Sequence, residues 1–128
     1  MVAGQATKKF DLVPGKTQAV TVEVDSVRVS QVVLDIENAG GKGPLKKSGA
    51  EAEVRMDNNG AKSVEAGIAV VLLDGAGNVV AAGSCGTKMG WLKAGERDTC
   101  KADFPYVYRN LKGAKSMMVT LETREKTD

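Results

Sequence analysis

Three groups of residues in this chain have types and spacings that chemistry uses. One is the glycine-rich stretch LLDGAGNVVAAGSCGTK, from Leu72 to Lys88. A second is the pair Cys85 and Cys100, the only two cysteines among 128 residues. The third is a set of aromatic and basic residues with one methionine: Lys88, Met89, Trp91 and Lys93, then Tyr106, Tyr108 and Arg109. These would serve, in turn, phosphate binding, a redox or structural thiol pair, and partner or ligand recognition.

The glycine stretch fails both phosphate patterns. A dinucleotide fingerprint needs G-x-G-x-x-G opening a helix, because the pyrophosphate rests on the helix N-terminus. Gly75 and Gly77 are present, but Val80 takes the third position, and the β-branched NVVAAGS that follows is strand-like. A phosphate loop needs G-x-x-x-x-G-K-[ST]. With Gly86 as the second glycine, the first falls on Ala81 and the lysine on Thr87. A hairpin fits instead, since Asp74-Gly75-Ala76-Gly77-Asn78 supplies residues that accept positive φ, and the Asp74 carboxylate can bond the turn's own backbone. A calcium role for Asp74 lacks the repeated acidic ligands of a calcium loop.

Two cysteines flanking one loop form a natural disulfide pair, which implies an oxidising compartment. Closing a loop of about 15 residues contributes roughly 3 kcal/mol in the chain-entropy model. The alternative is two buried, reduced thiols in a cytoplasmic protein. The chain contains no histidine, so Ser-His-Asp and Cys-His nucleophile systems lose their usual base. Histidine-ligated zinc is excluded for the same reason, and two cysteines cannot complete a four-thiolate site. Asp35, Glu37 and Asp57 fall at solvent-facing strand positions with no converging pair, so no catalytic residue and no cofactor is assigned.

Trp91, beside Lys88, Met89 and Lys93, either displays a binding loop or folds back as a lid over the core. Tyr106, Tyr108 and Arg109 form a second patch, in which one tyrosine can instead be a structural corner residue. A net charge of +2 with scattered lysines offers no basic stripe for nucleic acid. The lysines near Lys42, Lys46 and Lys47 read as solvated loop residues. No apolar run reaches the ~18 residues of a membrane-spanning helix. The opening MVAGQATKKF has no apolar stretch behind its charges, so a secreted protein would have lost its signal peptide, and Met1 is either native or an added start.

The elements that carry these residues follow a period of two. TQAVTVEVD (Thr17 to Asp25) places Val20, Val22 and Val24 on one face. Val27 and Val29 fall out of phase, and Val32, Leu34 and Ile36 restore it, so a bulge or break is expected between Asp25 and Ser30. Further strands put Ala52, Val54 and Met56, then Cys100, Ala102 and Phe104, then Met117, Val119 and Leu121 inward. VEAGIAVVLLD is apolar on both faces, as in a central strand or one at an inter-sheet corner. Asn59-Gly60 marks a turn, and Leu111 a plug beneath the 105–114 connection. FDLVPGKTQAVT and WLKAGERDTCK each place a leucine and a glycine-centred turn before a strand, which we read as shared strand-entry chemistry. About seven strands with turn signals between them and no helical pattern predict an all-β, antiparallel immunoglobulin- or fibronectin-III-like sandwich. Residues 17–125 make the domain, and residues 1–16 an N-terminal extension or edge segment.

LLDGAGNVV, with VEAGIAV before it and DNNG upstream, resembles FxLYD domains, small immunoglobulin-like sandwiches of mostly prokaryotic secreted and envelope proteins. Leu72 and Asp74 match the naming motif; Val70 stands in place of Phe and Leu73 in place of Tyr. Asn58 or Asn59 matches the asparagine ending the preceding strand, and Leu92-Lys93-Ala94-Gly95-Glu96 resembles the turn into the next. The likeness covers roughly Ala50 to Glu122 and implies no catalytic residues. The reading is a non-enzymatic interaction module, periplasmic, extracellular or envelope-associated, with a protein partner. The alternative is a small-ligand or carbohydrate-binding sandwich that stacks its ligand on Trp91 and the tyrosines.

Overall fold

The computed structural model describes residues 3–13, 15–35, 51–87, 91–104 and 113–125. Among the described residues nine strands run in order: β1 (Ala3–Asp11), β2 (Thr17–Gln18), β3 (Val22–Val24), β4 (Val27–Asp35), β5 (Glu51–Asn58), β6 (Val64–Asp74), β7 (Val79–Gly86), β8 (Arg97–Asp103) and β9 (Ala114–Glu125). They form two antiparallel sheets packed face to face. The first has the order β1-β9-β6-β7; the second has β2-β4-β5-β8, with β3 also paired to β4. Among the described residues no helix is long and apolar enough to cross a membrane.

Alternation decides which residues meet between the sheets. Val32, Leu34, Val54 and Met56 from the second sheet pack against Ile68, Val70, Leu72, Met117, Val119 and Leu121 from the first, all buried in one cluster. Phe104 is the bulkiest fully buried side chain among the described residues. It lies under Gly83, where a Cβ would come within 2.6 Å of the Asp103 carbonyl oxygen. The end of β8 thus approaches β7 closely at Gly83, and a side chain there would force a shift. β6 is central, between β9 and β7, as its two apolar faces require. Leu111 lies outside the described residues.

The phase change in the valines has two causes. Asp25 and Ser26 close a two-residue hairpin between Val24 and Val27, with Asp25 at φ 53°. That turn moves the inward set from even to odd positions. Ser30 then bulges out of the β4–β5 ladder, between Val29 and Gln31, and restores the even phase. The same bulge divides the expected Thr17–Asp25 strand. β2 pairs with Val32 and Val33, β3 with Val27 to Val29, and the residues opposite the bulge belong to neither strand.

The other difference from a seven-strand reading is β1. The segment before Thr17 contributes a full edge strand along β9, in register from Ala3 opposite Arg124 to Asp11 opposite Ser116. Two crossovers of the same design carry the chain from the first sheet to the second. Leu12 donates its N–H to Lys115 O of β9, and Gly15, three residues on, donates to Leu34 O of β4. Leu92 exchanges two backbone bonds with Val64 of β6, and Gly95 donates to Asn58 O of β5. Both glycines sit at positive φ, which L-residues adopt only with strain. The shared pattern of the two sequence segments is this crossover.

Candidate functional site

The glycine stretch is a hairpin between β6 and β7. Gly77, at φ 86°, donates to Asp74 O, and Asp74 N donates to Asn78 O. This is a three-residue loop with a left-handed glycine at its end. One carboxylate oxygen of Asp74 accepts from Ala76 N and Asn78 N, both at 2.9 Å. The Asn78 and Ala76 bonds outweigh the small desolvation and hold the Asp74 carboxyl below its ordinary range.

Cys85 and Cys100 are disulfide-bonded, with Cα atoms 5.7 Å apart. Cys85 lies near the end of β7 and Cys100 within β8. These are edge strands of opposite sheets, so the bond closes one open side of the sandwich. The loop it encloses carries Trp91.

Trp91 is neither a lid nor freely displayed. It is half-buried, and the Arg124 guanidinium lies 5.8 Å from its ring centroid. Arg124 also donates through Nη2 to both carboxylate oxygens of Glu65, at 3.2 and 3.3 Å. Trp91, Arg124 and Glu65 thus form one connected wall, rising from the loop, β9 and β6. The plug over the core is Leu92, which is fully buried and bridged to Val64. Lys93 is exposed and its backbone N–H donates to Glu96 Oε1 at 3.3 Å. Lys88 and Met89 of the same set, and Tyr106, Tyr108 and Arg109 of the second patch, lie outside the described residues.

Beside the Trp91 wall lies a cleft of about 670 Å³ at one end of the first sheet. Its sides carry Gln5, Glu65, Glu122 and Arg124, and Gly67 and Gly86 lie side by side across β6 and β7. Gly86 is required by geometry, because a Cβ there would approach Ala66 O to 2.7 Å. Gly67 has no such reason. Its φ is ordinary and nothing lies within 4 Å of where its Cβ would stand. A glycine inside a central strand weakens it, and strand glycines often mark a bulge, a bend or a close approach of a ligand or another backbone. The isolated Gly67 in VEAGIAV was the sequence signal for this cleft.

Two groups of polar residues have structural work. Asn58, buried at the end of β5, donates through Nδ2 to Lys62 O and Leu92 O at 2.8 and 2.9 Å, and its Oδ1 accepts from Gly60 N at 3.0 Å. Its own N–H and carbonyl bond Glu96 O and Gly95 N. Asn58 therefore ties the Asn59–Ser63 turn, Leu92 and the Gly95 turn together.

Asp57 corrects the expectation of a solvent-facing acid: it is buried on the outer side of the second sheet. Arg28 and Arg97 stand opposite it on β4 and β8, and Arg97 Nε reaches Oδ1 at 2.7 Å. Arg55 Nε lies 3.9 Å from the same oxygen. Long arginine side chains cover the carboxylate, which strand alternation alone does not reveal. Burial by itself would raise the Asp57 carboxyl. The Arg97 hydrogen bond, a weaker contact from the Ser30 hydroxyl, and the charges of Arg97 and Arg55 outweigh it and hold the group below its ordinary range. The Ser30 contact is weak because its Oγ makes no well-formed hydrogen bond. Asp35 is exposed, and Glu37 lies outside the described residues.

The chain is an all-β sandwich with a disulfide across one open side. No family model matches its sequence, and no curated protein does. Among solved structures, a β-glucuronidase from glycoside hydrolase family 2 aligns at TM-score 0.41 and 14% identity, over 59% of this chain and 7% of that one. A chain from infectious bursal disease virus, Gx strain, aligns at TM-score 0.39 and 12% identity, over 100% of this chain and 29% of that one. The chain therefore spans less than a third of the length of either.

Proposed function

We propose that this protein is a non-enzymatic interaction module of a bacterial secreted or envelope protein, and that it grips a protein partner in the cleft beside Trp91. The observation that carries the reading is Gly67. It leaves bare backbone near one end of a central strand, next to a wall in which Trp91, Arg124 and Glu65 hold one another in place. Tryptophan and arginine are the residues most favoured at the energetic centre of interfaces. A preorganised wall loses little side-chain entropy on binding. The disulfide supports an oxidising compartment. The FxLYD-like residues Leu72 and Asp74 support the bacterial envelope setting.

The cleft's volume also favours a second reading, a small ligand such as a sugar, because it lies within the ~300–1,000 Å³ of small-molecule sites. Against it stands the single described ring at the wall.

Gly67→Arg tests both readings, since open space and an ordinary φ let the chain fold while the cleft is filled. The immobilised wild-type protein should retain a specific envelope protein that the Gly67→Arg and Arg124→Ala variants lose. Equal retention by all three would remove the cleft from the interface. A shift of Trp91 emission on titration with soluble glycans would favour the ligand reading instead.

A further inference from the structure

The two sheets leave four edges, and three of them are defended. An exposed edge strand offers unpaired N–H and C=O groups to any other chain, and proteins block this with charge, irregularity or brevity. β1 carries exposed Lys8 and Lys9. β8 carries exposed Arg97 and Lys101. The β2–β3 edge is broken into pieces of two and three residues.

β7 has no charge and is not short; its one irregularity is a bulge at Val80, next to the hairpin, and its ladder from Ala81 to Gly86 is regular. Val79 to Thr87 reads VVAAGSCGT, without one charge or proline. Val79 at its start is 66% exposed, against 44% for Val13, the other large apolar side chain left open among the described residues. The uncovered apolar surface and the undefended edge coincide.

The ladder shows which groups are free. Thr87 N donates to Ala66 O, and Gly67 stands opposite Gly86. Antiparallel bonding alternates, so Cys85, Gly83 and Ala81 bond β6. Ala82, Ser84 and Gly86 turn their N–H and C=O groups outward. Among the described residues no backbone group is bonded to them.

We infer that β7 pairs with β7 of a second copy of this chain, antiparallel about a twofold axis at Gly83. This arrangement sets Ala82 opposite Ser84 of the partner and Gly83 opposite itself, with small side chains throughout. It opposes no like charges, whereas self-pairing of β1 or β8 would confront lysines or arginines. The first sheets of two copies would then run on as one, the self-complementary contact a twofold dimer requires. This inference stands independently of the Trp91 cleft.

Sedimentation velocity over a concentration series tests it. The wild-type protein should pass from its monomer mass of 13.4 kDa toward twice that value as concentration rises. Ala82→Pro removes only an outward N–H, and Ser84→Lys places a charge beside its own copy; both should stay monomeric with the disulfide intact. Hydrogen exchange at the Ala82 and Ser84 amides of the wild type should slow as concentration rises. A wild-type protein that is monomeric throughout overturns the inference. So does a dimer that persists in the Ser84→Lys variant, or one whose Ala82 and Ser84 amides exchange as fast as in the monomer.

Discussion

Gly15 and Gly95 occupy equivalent positions in the two crossovers: φ is 78° and 77°, and each N–H donates over 2.8 Å to a carbonyl of the second sheet. Three residues before each, a leucine is bonded to the first sheet. The two segments enter β2 and β8, the opposite margins of the second sheet, so one local design fixes both flanks.

Nothing lies within 4 Å of a Cβ at either glycine, so alanine there would meet backbone strain alone. Gly15→Ala and Gly95→Ala should each cost about 1–2 kcal/mol in urea unfolding. Asparagine should cost less than alanine at both. The two losses should add within roughly 0.5 kcal/mol, because the sites share no partner.

Asn58 serves three backbone groups with one side chain. Asn58→Ala leaves the Leu92 carbonyl without that donor and should destabilise by about 1–3 kcal/mol. Asn58→Asp should be worse, because it turns a carboxylate oxygen toward the Leu92 and Lys62 carbonyls. Thermal melts of the two variants, ranked against each other, separate lost packing from lost hydrogen bonding.

The disulfide predicts that alkylation without reductant labels no thiol, since the described residues hold no free cysteine. Mass spectrometry before and after reduction reads this directly. The double variant Cys85→Ala, Cys100→Ala should lose about 3 kcal/mol in the chain-entropy model. Its Trp91 emission should also change, because the enclosed loop carries that ring.

Asp57 and Asp74 both titrate below the carboxyl value of 3.8. A folded-state value below the unfolded one means that the folded state binds its proton less readily. The resulting stability is fully present above the unfolded value and is lost as pH falls through the folded one. Urea unfolding should therefore give a plateau above about pH 5 and a decline below pH 4. Asp57→Asn should flatten part of that decline. A wild-type profile level down to pH 2 would contradict the assignment.

Much of the fold was legible because alternation fixes facing. The inward sets around Val54, Cys100 and Val119 are those the residues imply, and the interruption near Ser30 announces itself in the valine phase. Alternation says nothing of what lies across a sheet. Asp57 sits at an outward position and is nevertheless buried, because Arg97, 40 residues on in the chain, reaches its carboxylate from the next strand, with Arg55 beside it. Leu92 was missed as a core residue for a similar reason: a lone leucine between Trp91 and Lys93 has no period, and its partner is Val64. Gly67 was visible as a letter. Its meaning, an unoccupied space over a central strand, required the neighbouring strands to be in place.

The register of β1 on β9 has a mechanical consequence. Ala3 lies opposite Arg124, so the first and last described strand residues leave the sheet at the same end. A pulling force applied between them would load the β1–β9 hydrogen bonds one after another, as in opening a zipper, rather than all together in shear. The edge strand would yield first and at low force, while the disulfide-clipped side of the sandwich, beyond β9 and β6, would carry none of the load until β1 had gone.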